Sequence, residues 1–214
     1  MKPIRWAVLI FIALAGIVIS TPAQVVVFNS FGPGNTYDSG VLWGITGAST
    51  SYGYRGQAEF FTPDISGYLS SILLATARES GSGDSNFYLA QDNGSGIPGA
   101  ILESFTDVLN ANGLLTLNSI AKPLLQAGTE YWICDVPAAS KSFNGWCQNS
   151  LGYAPGFAFE RSKWDWSAIP AAHSPDSGVF RVSVTPVPEP AVTTLGALCG
   201  GLLFLRRKKS VVVE

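Results

Sequence analysis

The chain has 214 residues, of which 47% are hydrophobic and 13% charged, with fifteen Asp and Glu against thirteen Lys and Arg. The termini carry six of those cations, so residues 24–187 hold seven Lys and Arg against thirteen Asp and Glu, a net charge of about −6. Proteins that bind nucleic acid neutralise phosphates with clustered basic side chains, so this balance argues against a nucleic-acid partner.

The first 23 residues have the pattern of a signal peptide. Lys2 and Arg5 form a basic region, and the fourteen residues Trp6–Ile19 are uninterruptedly apolar. Small residues at Thr21-Pro22-Ala23 suit a signal peptidase, which predicts cleavage between Ala23 and Gln24. The apolar run is too short to favour the alternative, a permanent membrane helix.

Residues 24–185 read as short strands separated by Gly, Asn, Asp and Ser. The run Tyr68–Thr76 is apolar on both faces, which predicts a central strand, and Val179–Val184 has the cleanest two-residue alternation in the chain. One helical candidate, Ser119–Gln126, is broken at Pro123. All the predicted strands are Val25–Phe28, Gln57–Thr62, Tyr68–Thr76, Asn86–Gln91, Ile101–Val108, Leu115–Leu117, Glu130–Val136 and Val179–Val184.

About eight to ten such strands, each with an apolar face, must bury those faces against one another. The sequence therefore predicts an all-β exported domain, an antiparallel β-sandwich of jelly-roll type. A closed barrel is the alternative.

Two cysteines, Cys134 and Cys147, lie in the predicted exported domain, with twelve residues between them. A pair of cysteines in an oxidising compartment is more often bonded than free, which predicts a Cys134–Cys147 disulfide worth about 3 kcal/mol. A metal site is disfavoured, because His173 is the one histidine in the chain.

Two loop patterns have features in common with ligand-binding motifs. The spacing Gly94-x-Gly96-x-x-Gly99 matches a dinucleotide fingerprint, but Pro98 lies within it and no helix follows, so a hairpin loop is predicted. Oxygen-bearing side chains near two loops could suit Ca²⁺, although their spacing matches no EF-hand and solvated turns are the simpler interpretation. These side chains are Asp84, Asn86, Asp92 and Asn93. We therefore predict no cofactor, with calcium the one weak candidate.

No catalytic constellation is evident in the sequence. His173 stands beside Ser174-Pro175-Asp176, but there is no Gly-x-Ser-x-Gly elbow. The prediction is a non-enzymatic protein. A glycan-acting hydrolase whose carboxylates meet only in the fold is the minor alternative.

Aromatic side chains are concentrated between residues 131 and 166. Apolar sugar faces stack on such rings, so exposed aromatics would suit a carbohydrate-binding module. Trp164 and Trp166, flanking Asp165 in a polar stretch, are the candidate glycan-stacking residues. The alternative is that most of these rings fill the core.

The C-terminal residues 186–209 have three parts in fixed order. The motif Pro188-Glu189-Pro190 is followed by fifteen residues without charge, 191–205, and by the basic cluster Arg206, Arg207, Lys208 and Lys209. This order is that of a stop-transfer segment with residues 210–214 as a cytoplasmic tail. Fifteen residues make a helix of only about 22 Å against a hydrocarbon core of about 30 Å, which suits a temporary anchor. A permanent tail anchor is the alternative.

These three parts resemble a PEP-CTERM sorting signal. The resemblance implies recognition of Pro188, Glu189 and Pro190 by an exosortase-like membrane enzyme. It also implies a protein of a Gram-negative bacterium, tethered to the inner membrane during export and then located on the outer surface or in the extracellular matrix.

The exported domain itself resembles the choice-of-anchor domains found upstream of such signals. The resemblance is carried by short signposts, namely Phe31-Gly32-Pro33-Gly34, Tyr37-Asp38, Trp43, Gln57-Ala58, Gly94–Gly99, Ala127–Trp132 and Phe180-Arg181-Val182. Those domains have no assigned activity. The expected function is that of a surface-associated protein, with binding of extracellular polysaccharide as the alternative.

Overall fold

The computed structural model describes residues 23–81, 83–152, 156–162, 165–169 and 177–187. Apart from one 3₁₀ turn at Pro33–Asn35, the regular elements of these residues are all strands. They are β1 (Val25–Asn29), β2 (Asp38–Thr46), β3 (Gly56–Phe61), β4 (Gly67–Ser80), β5 (Asp84–Asp92), β6 (Pro98–Leu109), β7 (Gly113–Asn118), β8 (Leu124–Leu125), β9 (Tyr131–Pro137), β10 (Phe143–Gln148), β11 (Phe157–Glu160), β12 (Trp166–Ile169) and β13 (Phe180–Pro186).

The first sheet has seven strands and is organised around β4. Its main path runs β1-β13-β4-β10-β2, and every pairing is antiparallel. One edge of β4 pairs first with β13 and then with β10, while the other edge pairs with β8 and β7. The prediction that residues 68–76 form a central strand is therefore confirmed.

The second sheet has six antiparallel strands in the order β12-β11-β3-β9-β5-β6. The two sheets pack face to face, and their inward side chains form one apolar core. Large, fully buried members of this core are Phe61, Phe87, Leu89 and Ile133 from the second sheet, and Leu74, Trp146 and Phe180 from the first. The predicted all-β antiparallel sandwich is confirmed.

The six-stranded sheet carries a second apolar layer on its outer side. Along β9, Tyr131 and Ile133 belong to the core, whereas Trp132 and Cys134 point the other way. We call this layer the outer-face cluster; its buried members are Ala58, Ala90, Trp132, Cys134, Val136, Ala158 and Trp166. Both faces of β9 are thus covered, which explains why its burial is continuous along the strand.

The predicted disulfide is wrong. Both cysteines are free and buried. Cys134 lies in the outer-face cluster, whereas Cys147 packs with Phe31 and Val179 on the outer side of the seven-stranded sheet, next to the inward-facing Trp146. A disulfide needs Cβ atoms about 4 Å apart, but sheets in a sandwich stand about 10 Å apart and these thiols point away from each other.

Both thiols are expected to resist modification in the folded protein. Burial raises the pKa of Cys147 to about 11 and that of Cys134 well above its usual range, so the reactive thiolate is scarce. Iodoacetamide at pH 8 should leave both unmodified in native protein and alkylate both in denaturant, as read by peptide mass spectrometry. Native labelling, or a denatured chain that still resists labelling until it is reduced, would contradict the structure.

The terminal signals lie outside the described residues. This applies to residues 1–22, to the Pro188-Glu189-Pro190 motif and to the basic cluster at 206–209. Ala23 and Gln24, the predicted cleavage site, form an exposed, irregular lead into β1. The ranges that the structure describes contain no helix long and apolar enough to cross a membrane.

Candidate functional site

A cleft of about 360 Å³ opens on the outer side of the six-stranded sheet. Strand alternation positions one wall of this cleft, because the side chains of β5 that flank the inward Phe87 and Leu89 must point outward. We call it the Tyr54 cleft; it is lined by Tyr54, Asn86, Tyr88, Ile101, Val136, Pro137, Ala138 and Glu160.

A buried carboxylate and a phenol form the polar wall of this cleft. The Tyr54 hydroxyl donates a 2.8 Å hydrogen bond to Glu160 Oε2, and Glu160 is only 1% exposed. Gly56 lies opposite Glu160 in the β3–β11 register, and a Cβ at Gly56 would come within 2.8 Å of both Glu160 Oε2 and Val136 Cγ1. The glycine therefore makes room for the carboxylate. Burial, and then the bonded Glu160, raise the pKa of Tyr54 far above its usual value, so this hydroxyl stays protonated.

The opposite wall comes from β5. Burial and the charge of Glu160 raise the pKa of Tyr88, and both side chains line the cleft. Asn86 accepts a 2.8 Å hydrogen bond at Oδ1 from the backbone N–H of Asp107. That bond fixes the amide plane and leaves the Nδ2 donor of Asn86 available to a bound molecule.

A second cleft of about 520 Å³ shares Tyr54 and Glu160 with the first, so the two lie side by side. It adds two cations, Arg55 and Arg161, and an aromatic ring, Tyr52, which is 56% exposed. The Arg55 guanidinium carbon stands 5.7 Å from the centroid of the Tyr52 ring, within range of a cation–π contact. The joined surface thus offers rings, a carboxylate, an amide and guanidinium groups.

The two predicted glycan-stacking tryptophans do not form an exposed pair. Trp166 belongs to the outer-face cluster and is only 7% exposed, which leaves little ring surface for a sugar. The expectation of an exposed ring is therefore wrong at this residue, because a second apolar layer covers it. Trp164 lies outside the described residues.

The weak calcium candidates in the loops do not meet. Asp84 and Asp92 are the two ends of β5, about 26 Å apart at the rise of an extended strand. The carboxylate of Asp92 accepts bonds from Trp132 Nε1 at 2.9 Å and Gly94 N at 2.6 Å, and Asn93 Oδ1 accepts one from Ser95 N at 2.8 Å. The oxygens of Asp92 and Asn93 thus stabilise the turn after β5, whereas Asp84 and Asn86 lie in the strand itself.

The glycine-rich pattern at 94–99 is the hairpin between β5 and β6, as predicted. Gly94 and Gly96 have φ of 86° and 71°, a conformation that favours glycine. His173, the remaining candidate from the sequence, lies outside the described residues.

Sequence patterns missed a group of polar side chains inside the sandwich. Gln57 and Glu59 alternate with Ala58 and Phe60 of the outer layer, so they face inward, and Asp135 does so between Cys134 and Val136. We call the group the interior oxygen cluster; it comprises Gln57, Glu59, Ser85, Asn110, Asp135 and Asn144, all buried. The apolar side of β3 was expected to face the core, and the structure reverses it because the outer side is also covered.

Burial dominates the electrostatics of this cluster. It raises the pKa of Glu59 to about 8, against hydrogen bonds from Gly178 N and Gln57 Nε2 that lower it. It also raises the pKa of Asp135 to about 8. The nearby Ser85 hydroxyl lowers the latter in part, although it forms no hydrogen bond of good geometry with either Asp135 oxygen.

Two sites therefore stand out: an open surface of rings and charges on the outer face, and a closed set of oxygens in the interior. The first has the size and composition of a ligand pocket, since such pockets span about 300–1,000 Å³. No protein-family model matches the chain, and a search of curated proteins finds no significant match.

Proposed function

We propose that the chain is an exported, non-enzymatic protein of the bacterial cell envelope. A signal peptide at 1–23 sends it across the inner membrane, and the PEP-CTERM segment at 186–209 tethers it there. An exosortase-like enzyme then processes it near Pro188-Glu189-Pro190. The mature protein resides on the outer surface or in the extracellular matrix of a Gram-negative bacterium. The proposal includes a choice-of-anchor domain of jelly-roll type between the two signals.

The order of the C-terminal parts carries this proposal. A recognisable motif, an uncharged run of fifteen residues and four consecutive cations follow one another in residues 188–209. Cations next to an apolar run are costly to translocate and hold that end in the cytoplasm. The net charge of about −6 between residues 24 and 187 suits an aqueous location away from anionic lipid.

Substitution of the motif tests the sorting step. A variant with Pro188→Ala, Glu189→Ala and Pro190→Ala is expected to accumulate unprocessed in the membrane fraction, because the recognised residues are gone. Pro186→Ala, a proline just outside the motif, is the matched control and should be processed normally. Immunoblots of membrane and culture fractions provide the measurement. Normal processing and release of the triple variant would contradict the proposal.

The second candidate function is carbohydrate binding, and the Tyr54 cleft is the observation that favours it. Sugars present apolar C–H faces that stack on aromatic rings and hydroxyl groups that pair with carboxylates and amides. Tyr54, Tyr88, Asn86 and Glu160 supply these groups around one cleft of about 360 Å³. An extracellular polysaccharide is the ligand class that fits both this chemistry and the proposed location.

Affinity electrophoresis of the exported protein in gels containing the producing bacterium's purified polysaccharide tests this function. Retarded migration is expected, and unchanged migration would contradict carbohydrate binding. The same incubation separates binding from hydrolysis. A polysaccharide that keeps its chain length supports a non-enzymatic role, and new reducing ends would show the hydrolase alternative.

A further inference from the structure

The interior oxygen cluster has more hydrogen-bond acceptors than donors. Six of its oxygens are buried without a hydrogen-bond partner: Gln57 Oε1, Glu59 Oε2, Asn110 Oδ1, Asp135 Oδ1, Asp135 Oδ2 and Asn144 Oδ1. Buried polar atoms in proteins are almost always paired, and leaving a charged one unpaired is especially costly. Six orphaned acceptors in one interior group call for a positively charged partner.

Backbone register and hydrogen bonds bring the members of this group together. Gln57 and Asp135 are directly opposite each other in the β3–β9 ladder, and both face inward. Such cross-strand neighbours have Cβ atoms about 5 Å apart. Gln57 Nε2 donates to Glu59 Oε1 at 2.7 Å, which ties the second carboxylate to the same place.

Ser85 joins the remaining side chains. Its hydroxyl oxygen accepts bonds from Asn110 Nδ2 at 2.9 Å and from Asn144 Nδ2 at 3.2 Å. Ser85 faces Asp135 diagonally across the β5–β9 ladder. Asn144 reaches it from the opposite sheet, since β10 belongs to the seven-stranded sheet. The cluster therefore spans the space between the two sheets.

The side-chain amides of Gln57 and Asn144 use their nitrogen atoms as hydrogen-bond donors, while their oxygen atoms accept no hydrogen bond. Asn144 Nδ2 also donates to the backbone carbonyl of Asp84 at 3.2 Å, an acceptor that only the amide nitrogen can satisfy. Gln57 likewise directs its nitrogen at a carboxylate. Each amide thus keeps a carbonyl-type oxygen for another partner. Among the described residues, neither Glu59 nor Asp135 has a Lys or Arg partner.

We propose that the interior oxygen cluster binds one divalent cation, Ca²⁺, between the two sheets. Calcium takes six to eight oxygen ligands from carboxylates and amide carbonyl groups, and the cluster offers both kinds. The two carboxylates balance its charge. Mg²⁺ fits less well, because it retains water and demands strict octahedral geometry. The described residues contain no metal-binding group of three His, Cys, Asp or Glu; here amide oxygens complete the set.

The first test is the metal content and stability of the whole exported protein purified from cells. Mass spectrometry of the metal is expected to find about one Ca²⁺ per chain. After chelation, CaCl₂ at 100 times Kd should raise Tm by about 5–10 °C. MgCl₂ of equal ionic strength should raise it much less. Protein without bound calcium and with a Tm unmoved by millimolar CaCl₂ would show a cluster satisfied by water alone, and would overturn the proposal.

Substitutions test whether calcium binds at the interior oxygen cluster or at other acidic residues. Asp135→Asn keeps the shape, removes one charge and is expected to weaken calcium binding at least tenfold, since ligand charge tunes affinity. The Asp135→Asn protein should remain folded, because the amide has nearly the same shape as the carboxyl group and carries no charge to bury. Asp107→Asn, at an exposed position of β6 with a φ of 52°, is the matched control and should bind calcium normally. A further variant, Gln57→Met, removes one oxygen at similar volume and should weaken binding less than Asp135→Asn. A folded Asp135→Asn protein with wild-type calcium affinity would overturn the site.

Discussion

Trp146→Ala is expected to destabilise the sandwich by about 4 kcal/mol, the largest effect of any single substitution considered. The indole is fully buried at the centre of β10. Its Nε1 donates a 3.0 Å hydrogen bond to the carbonyl of Val179, and its ring meets Phe180 edge to face with centroids 5.9 Å apart. Gly178 lies so close that a Cβ there would stand 2.7 Å from the indole. The truncation leaves a large cavity between strands that the backbone cannot readily fill.

Urea unfolding followed by far-ultraviolet circular dichroism measures this loss. About 4 kcal/mol is a large part of the 5–15 kcal/mol that stabilises an ordinary domain, so the unfolding midpoint should fall strongly. Tyr68→Ala is the control, since Tyr68 is 47% exposed on β4 and should cost little. A Trp146→Ala midpoint as high as that of the control would contradict the core described here.

The second large effect is expected at the Tyr54 cleft. Tyr54→Ala removes an aromatic wall and the hydroxyl bonded to Glu160, so affinity for polysaccharide should fall at least tenfold, equivalent to about 1.4 kcal/mol. Tyr54→Phe keeps the ring and should retain more of the affinity. The difference between the two variants separates stacking from hydrogen bonding.

Affinity electrophoresis with circular dichroism on the same samples provides the readout. Tyr68→Ala again serves as the control, because it removes an exposed tyrosine from the other sheet. If polysaccharide slows the migration of wild-type and folded Tyr54→Ala protein equally, the cleft is not the carbohydrate site. Loss of polysaccharide binding in the Tyr68→Ala control would also contradict the assignment of the site to this cleft.

The sequence pattern predicted two strands of the first sheet correctly, one apolar on a single face and one apolar on both. β13 alternates Phe180, Val182 and Val184 inward with polar residues outward, and the predicted strand matches the structure within two residues at its ends. β4 has apolar side chains on both faces and lies at the centre of its sheet. For β13 the two-residue period carries the information, and for β4 the apolar run on both faces carries it.

The same reasoning failed where a second apolar layer exists. At β3 polar and apolar residues alternate, and Gln57 and Glu59 face the interior because Ala58 and Phe60 pack into the outer layer. A one-sided pattern cannot tell which side is inside when both sides are covered. The same layer buries Trp166.

The prediction of a disulfide was wrong for a topological reason. Cys134 and Cys147 are close in sequence, but the connection between β9 and β10 crosses from one sheet to the other. Sequence spacing contains no information about that crossing. The strands β2, β8, β10, β11 and β12 were not predicted either. β8 falls within the helical candidate Ser119–Gln126, and Gly, Ser and Asn in and around the other four resemble loop composition.

The most direct test of the envelope assignment is the intact mass of the protein recovered from its native cells. A chain that begins at Gln24 and ends near Pro188-Glu189-Pro190, with no loss of two hydrogens for a disulfide, is the predicted result. A mass that still includes Met1–Ala23 or the residues from Arg206 to Glu214 would contradict it.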